Sequence, residues 1–138
     1  MLRPSSTSPL PLHAAARRGD LARCEKLVAA GLPVDELDED EHTALHWACD
    51  SGFDEVAELL ITSGAAVGAR NADGSTPLHM ACACEHEAVV RLLLRKGAVA
   101  DARDDDGCTP AELAPSSLAE VITEALARRE AAAEIEEL

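Results

Sequence analysis

The chain has 138 residues, room for one domain. Aromatic side chains make up 1% and hydrophobic ones 47%, mostly Ala, Leu and Val; this argues against a core built on large anchors and suits thin layers filled by small residues. The net charge of −14, from 26 acids and 12 bases, repels phosphate backbones and argues against a nucleic-acid partner.

Residues 1–9 are rich in Ser and Pro and read as a disordered leader. Arg3, Arg17 and Arg18 precede the first acid, but Pro4, Pro9 and Pro11 oppose the amphipathic helix of a transit peptide. A first helix is expected over about 11–18, with Pro11 at its opening and Gly19 as its turn. A second runs over about 20–30, with Leu21, Cys24, Leu27 and Val28 on one face and Gly31 as its stop. An acidic linker follows, carrying Asp35, Glu36, Asp38, Glu39, Asp40 and Glu41. Thr43 caps the next helix, Gly52 turns the chain, and Val56, Ala57, Leu60 and Ile61 form a buried stripe. Asp73-Gly74 is a turn signal; Thr76 caps and Pro77 opens another helix. In the last stretch Pro115 shortens the helix that begins at Pro110, and Ser116 or Ser117 is placed to cap a final one. On that final helix Leu118, Val121, Ile122, Ala125 and Leu126 face inward. The stretch 127–138 reads as a polar, acidic, helical tail.

One step of 33 residues runs through all of this. It relates His13, His46 and His79; Gly31, Gly64 and Gly97; Pro11, Ala44, Pro77 and Pro110; and Leu27, Leu60, Leu93 and Leu126. Such self-similarity marks a stacked helical repeat. The run Asp73-Gly74-Ser75-Thr76-Pro77-Leu78-His79-Met80-Ala81, with Val89 to Ala98 after it, closely resembles the ankyrin repeat. Thr43-Ala44-Leu45-His46-Trp47-Ala48 is a second copy. The resemblance implies an all-α solenoid over 10–126, in about four helix-turn-helix repeats: 10–37, 38–70, 71–103 and 104–126. Hairpin-like finger loops would join them, and the terminal repeats would act as caps. It also implies that each motif histidine links neighbouring repeats. Leu10 stands where the family has a capping threonine, and Glu112 stands where it has histidine. Glu41 and Glu85 stand at turn positions held elsewhere by glycine, so both are expected to be strained, and the first finger to be the most mobile.

The resemblance further implies binding of another protein through finger tips and first-helix ends. Carried over copy by copy, the finger positions are Leu37, Glu39, Asp40 and His42; then Arg70, Ala72, Asp73 and Ser75; then Arg103, Asp105, Asp106 and Cys108. The helix-end positions are Arg17 and Arg18, Asp50 and Ser51, and Ala83 and Cys84. Trp47 is expected to pack between repeats or to anchor a partner. An acidic first finger suits a basic partner segment. His46 with Cys49, His79 with Cys82, and the run Cys82-Ala83-Cys84-Glu85-His86 look like metal or nucleophile sites. The histidines are the repeat's own, however, and residues two apart on a helix do not share a face. The expectation is therefore a non-catalytic scaffold, with no cofactor and no metal, monomeric on its own and cytoplasmic or nuclear. The alternative is a redox- or metal-responsive binding protein using Cys84. No apolar run approaches the roughly 20 residues of a membrane span.

Overall fold

The computed structural model describes residues 10–137, so the leader expected over 1–9 lies outside the described residues. The helices are α1 (Pro11–Arg18), α2 (Leu21–Ala29), α3 (Ala44–Ser51), α4 (Asp54–Thr62), α5 (Pro77–Ala83), α6 (Glu87–Arg95), α7 (Pro110–Leu113) and α8 (Ser116–Glu137). Among the described residues no strand forms; the fingers are turns. Helices α1, α3, α5 and α7 pack in one row, and α2, α4, α6 and α8 in a second row behind it. Leu45, Leu60, Leu78 and Leu93 are fully buried between them. Leu27 and Leu126 are only half-buried, since among the described residues α2 and α8 each pack on one neighbour in their row.

The threonine–histidine motif sets both the local helix and the stacking. Thr43, Thr76 and Thr109 accept from the amides of His46, His79 and Glu112, which starts α3, α5 and α7. In α3 and α5 the histidine Nδ1 reaches back to the threonine amide, at 3.1 and 3.2 Å, completing a capping box. The other ring nitrogen crosses to the next repeat. His13 Nε2 donates to the His42 carbonyl at 2.8 Å, His46 Nε2 to Ser75 at 3.0 Å and His79 Nε2 to Cys108 at 2.8 Å. A carbonyl only accepts, so Nε2 carries the proton in each ring. Glu112 holds the histidine's place in α7, and its amide donates to the Thr109 cap.

Leu10 breaks the motif in two ways. It gives α1 no side-chain cap, and it leaves the buried His13 Nδ1 without a partner. Leu10→Thr should restore both bonds and raise stability by about 1 kcal/mol, read from the urea midpoint.

Stacking also explains which turns need glycine. A Cβ on Gly19 (φ +74°) would lie 2.6 Å from the Phe53 ring, and one on Gly52 (φ +83°) would lie 2.6 Å from the His86 ring. Glu85 adopts the same left-handed backbone, with φ 60°. The residue 34 positions after it, as Phe53 is to Gly19 and His86 to Gly52, is Ala119, which carries no ring. Glu41 also has positive φ, 63°, as its place in the finger turn requires. The outer helix α2 is a residue shorter at each end than expected, since Asp20 is its cap and accepts from the Arg23 amide. The expected serine cap of the final helix is corrected: α8 begins at Ser116, so both serines lie in its first turn, and Pro115 carbonyl accepts from Leu118 and Ala119.

Candidate functional site

Each finger is closed by a single side chain. Asp38 Oδ1 accepts from the amides of Asp40 and His42, at 3.0 and 2.9 Å. Asn71 Oδ1 does the same for Asp73 and Ser75, at 2.9 and 3.0 Å, and Asp104 Oδ1 for Asp106 and Cys108, at 3.0 and 2.9 Å. Main-chain bonds complete each turn: the amides of Asp38, Asn71 and Asp104 donate to the carbonyls of His42, Ser75 and Cys108. Adjacent fingers are then tied together, as Ala72 N–H donates to Asp40 and Asp105 N–H to Asp73, both at 3.0 Å. The tips therefore form one row, braced from behind by the motif histidines.

Positions 38, 71 and 104 keep the 33-residue step and were missed as organisers. Counting Asp38 among six crowded carboxylates hid its role. Two of the six are used in the fold: Asp38 as above, and Asp35, which accepts from the Ala66 amide at 3.0 Å. Glu36, Glu39, Asp40 and Glu41 remain exposed. Burial alone would raise the Asp38 carboxyl. The His42 amide, the Trp47 indole and the Asp40 amide outweigh it and hold the group below the usual carboxylate range.

Trp47 takes the first of its two expected roles, packing between repeats. It packs against the core, yet stays half-buried. Its Nε1–H donates to Asp38 Oδ2 at 2.9 Å, and the Arg17 guanidinium lies 5.1 Å from its ring centre. Leu10, His13, Arg17, Asp38 and Trp47 line a hollow of about 50 Å³ there. Arg18, the next helix-end residue, is exposed.

Several expected contact residues are already engaged within the chain. His42 is not a free finger tip: its ring packs 5.1 Å from Trp47 and 5.5 Å from His46, and its Nε2 accepts from Asn71 Nδ2 at 3.2 Å. Arg70 is exposed but folds back, donating to the carbonyls of Gly74 and Arg103. Arg103 repeats the gesture towards Gly107, at 2.7 Å. Both guanidiniums are finger braces, because they satisfy carbonyls that the tight turns leave open. Ser75 and Cys108 are half-buried, and their carbonyls are taken by the motif histidines. Leu37, Glu39, Asp40, Asp73, Ala83 and Asp105 are exposed, and Ser51 is half-buried.

The cysteines split as packing dictates. Cys24, Cys49 and Cys82 are buried in the small-residue slots of the layers, and burial pushes their thiols up, Cys82 to about 12. Cys84 is exposed, but its thiol donates to Asp50 Oδ1 at 3.2 Å. Partial burial and that carboxylate push it up to about 11, the opposite of a reactive thiol. Among the described residues no cluster of His, Cys, Asp and Glu is arranged to hold a metal ion. Asp50→Asn should speed the reaction of Cys84 with a disulfide reagent at pH 8 several-fold, and leave the three buried thiols silent until the chain unfolds.

Against known families, a model described as ankyrin repeats (3 copies) matches residues 3–71 and 59–136. No curated protein matches the chain. Among the described residues no helix is long and apolar enough to cross a membrane.

Proposed function

The chain belongs to the ankyrin-repeat family, and from that premise we propose that it is a non-catalytic scaffold whose finger row and concave first-helix face hold another protein. Ankyrin repeats generally mediate protein–protein interaction and are typically non-catalytic. One observation carries the reading: the fingers are cross-tied and closed from within, while Glu39, Asp40, Asp73 and Asp105 stand exposed along their tips. A row fixed in advance loses little conformational entropy when a partner lands on it. Four exposed carboxylates on the first finger select a partner segment rich in Lys or Arg, and Arg17 over Trp47 offers a flat anchor beside them. Five free thiols support a reducing compartment, the cytoplasm or nucleus.

The test is capture on the immobilised chain from cell extract, followed by a salt gradient. Partners of this site elute early, because Debye screening weakens exposed ion pairs. They are lost on a Glu39→Lys, Asp40→Lys variant. A bound set identical on both columns, or indifferent to salt, overturns the reading.

A further inference from the structure

A groove of about 560 Å³ lies between α6 and α8, on the row of helices behind the finger-bearing face. Its origin is visible in the repeat register. Leu59 and Leu92 fill their layers, but the residue one step later is Ala125, so the last outer helix leaves a hollow where its predecessors put a leucine. Leu94, Val121 and Ala125 are its apolar lining, and Arg91, Arg95 and Arg128 stand around them. Asp54 and Glu124 occupy other edges, and Arg91 is already paired with Glu87 at 3.2 Å, which leaves Arg95 and Arg128 as the rim's cations for a ligand. The groove is thus a greasy slot that offers two guanidiniums on a strongly anionic body.

The complementary surface is on the same chain. Leu37 is 51% exposed, although its register partners are Arg70 and Arg103. Unlike them it has no polar end with which to brace the turn. Glu36, Glu39, Asp40 and Glu41 lie within four residues of it in the chain, all exposed. A protruding leucine flanked by carboxylates matches an apolar slot edged by Arg95 and Arg128 in both shape class and charge.

We propose that the first finger of one copy docks in the α6–α8 groove of a second copy. Leu37 enters between Leu94, Val121 and Ala125, and the carboxylates beside it meet Arg95 and Arg128. Finger and groove belong to different layers of the stack, so the contact is heterologous: each copy engaged by its finger still offers an empty groove, and association runs head to tail. The interface is small and both bodies are anionic, so binding is weak and strongest at low salt. This goes beyond the scaffold reading, since it assigns a role to the opposite face. It also makes self-association compete with any basic partner for the acidic finger, and it confines the monomer expected from sequence to dilute solution.

Sedimentation equilibrium on the full chain tests it. In about 0.02 M salt the weight-average mass should climb above 14.5 kDa as the chain is concentrated towards about 1 mM, and return to it in about 0.5 M salt. Leu37→Ser should stay at the monomer mass, and so should the double variant Arg95→Glu, Arg128→Glu; circular dichroism confirms that both are folded. Mixed, they should form a one-to-one dimer and nothing longer, because the first keeps its groove and the second its finger. A wild-type chain that stays at 14.5 kDa throughout overturns the proposal, as do single variants that associate like wild type or a mixture that stays monomeric. The groove variant leaves the finger tips intact, so it should still bind a basic partner; loss or survival of the scaffold reading is scored separately.

Discussion

Truncating Leu60 or Leu93 to alanine is expected to cost about 3–4 kcal/mol, and the same truncation at Leu27 or Leu126 about half of that. All four leucines hold one register, so chemistry and helix position are matched. Their surroundings differ. Leu60 and Leu93 are 0% exposed, each enclosed by a layer on both sides, and deletion removes both the transfer energy and the contacts of the cavity walls. Leu27 and Leu126 sit in end layers that are half open, so part of the loss is already taken in the native state. A domain of this size has about 5–15 kcal/mol in total, so a central truncation removes a large share. Urea titration followed by helical circular dichroism measures all four. In a stack, an end truncation also lets its own layer unfold first and broadens the transition, whereas a central one keeps it sharp and moves the midpoint. Equal costs at the four positions would mean that burial is not organised by layers.

The layers were legible in the sequence because they depend on a repeating register and nothing else. His46 and His79 kept their step, and the structure shows both roles of that residue: the cap on its own helix and the clamp to the next finger. The strained turns were legible too, since Glu41 and Glu85 replace glycine in a known phase. What escaped depends on where long side chains come to rest. Arg70 and Arg103 look like partner contacts in a linear string, because only the folded turn shows the carbonyls they satisfy. Asp38 looks like one more solvated acid until the indole of Trp47 is seen to donate to it. The α6–α8 groove needs the spacing of two helices, which no pattern of residues states outright, although Ala125 in the register of Leu92 was its trace. Register is local information repeated; bracing and hollows are relations between copies, and they differ wherever the copies differ.

Acidification should destabilise the stack over two separable pH ranges, and His46 contributes to the first. Its imidazole is buried between repeats, with Nδ1 accepting from the Thr43 amide and Nε2 donating to Ser75. A second ring proton would fall on Nδ1, the acceptor of the capping box, in a site that burial has stripped of water. Burial, with a smaller contribution from neighbouring His42, therefore pushes the group down to about 4, from 6.5 in the unfolded chain; the Ser75 carbonyl and Asp38 oppose this without overcoming it. The unfolded state then takes up a proton that the folded state refuses. Stability from this residue is complete above pH 6.5, falls as pH drops towards about 4, and is constant below that. The loss across the window is about 3 kcal/mol. Asp38 acts later, because its folded-state carboxyl lies below the usual range: its contribution is present above the unfolded value and disappears only as pH falls through the depressed one. His46→Gln keeps hydrogen-bonding capacity but cannot titrate, so it should lower stability at neutral pH and flatten the curve between pH 6.5 and 4, while leaving the more acidic limb in place. Urea midpoints collected across that window for both proteins decide the matter. Parallel curves would show that the acid sensitivity arises elsewhere, and that the inter-repeat clamp tolerates charge in a way its desolvation forbids.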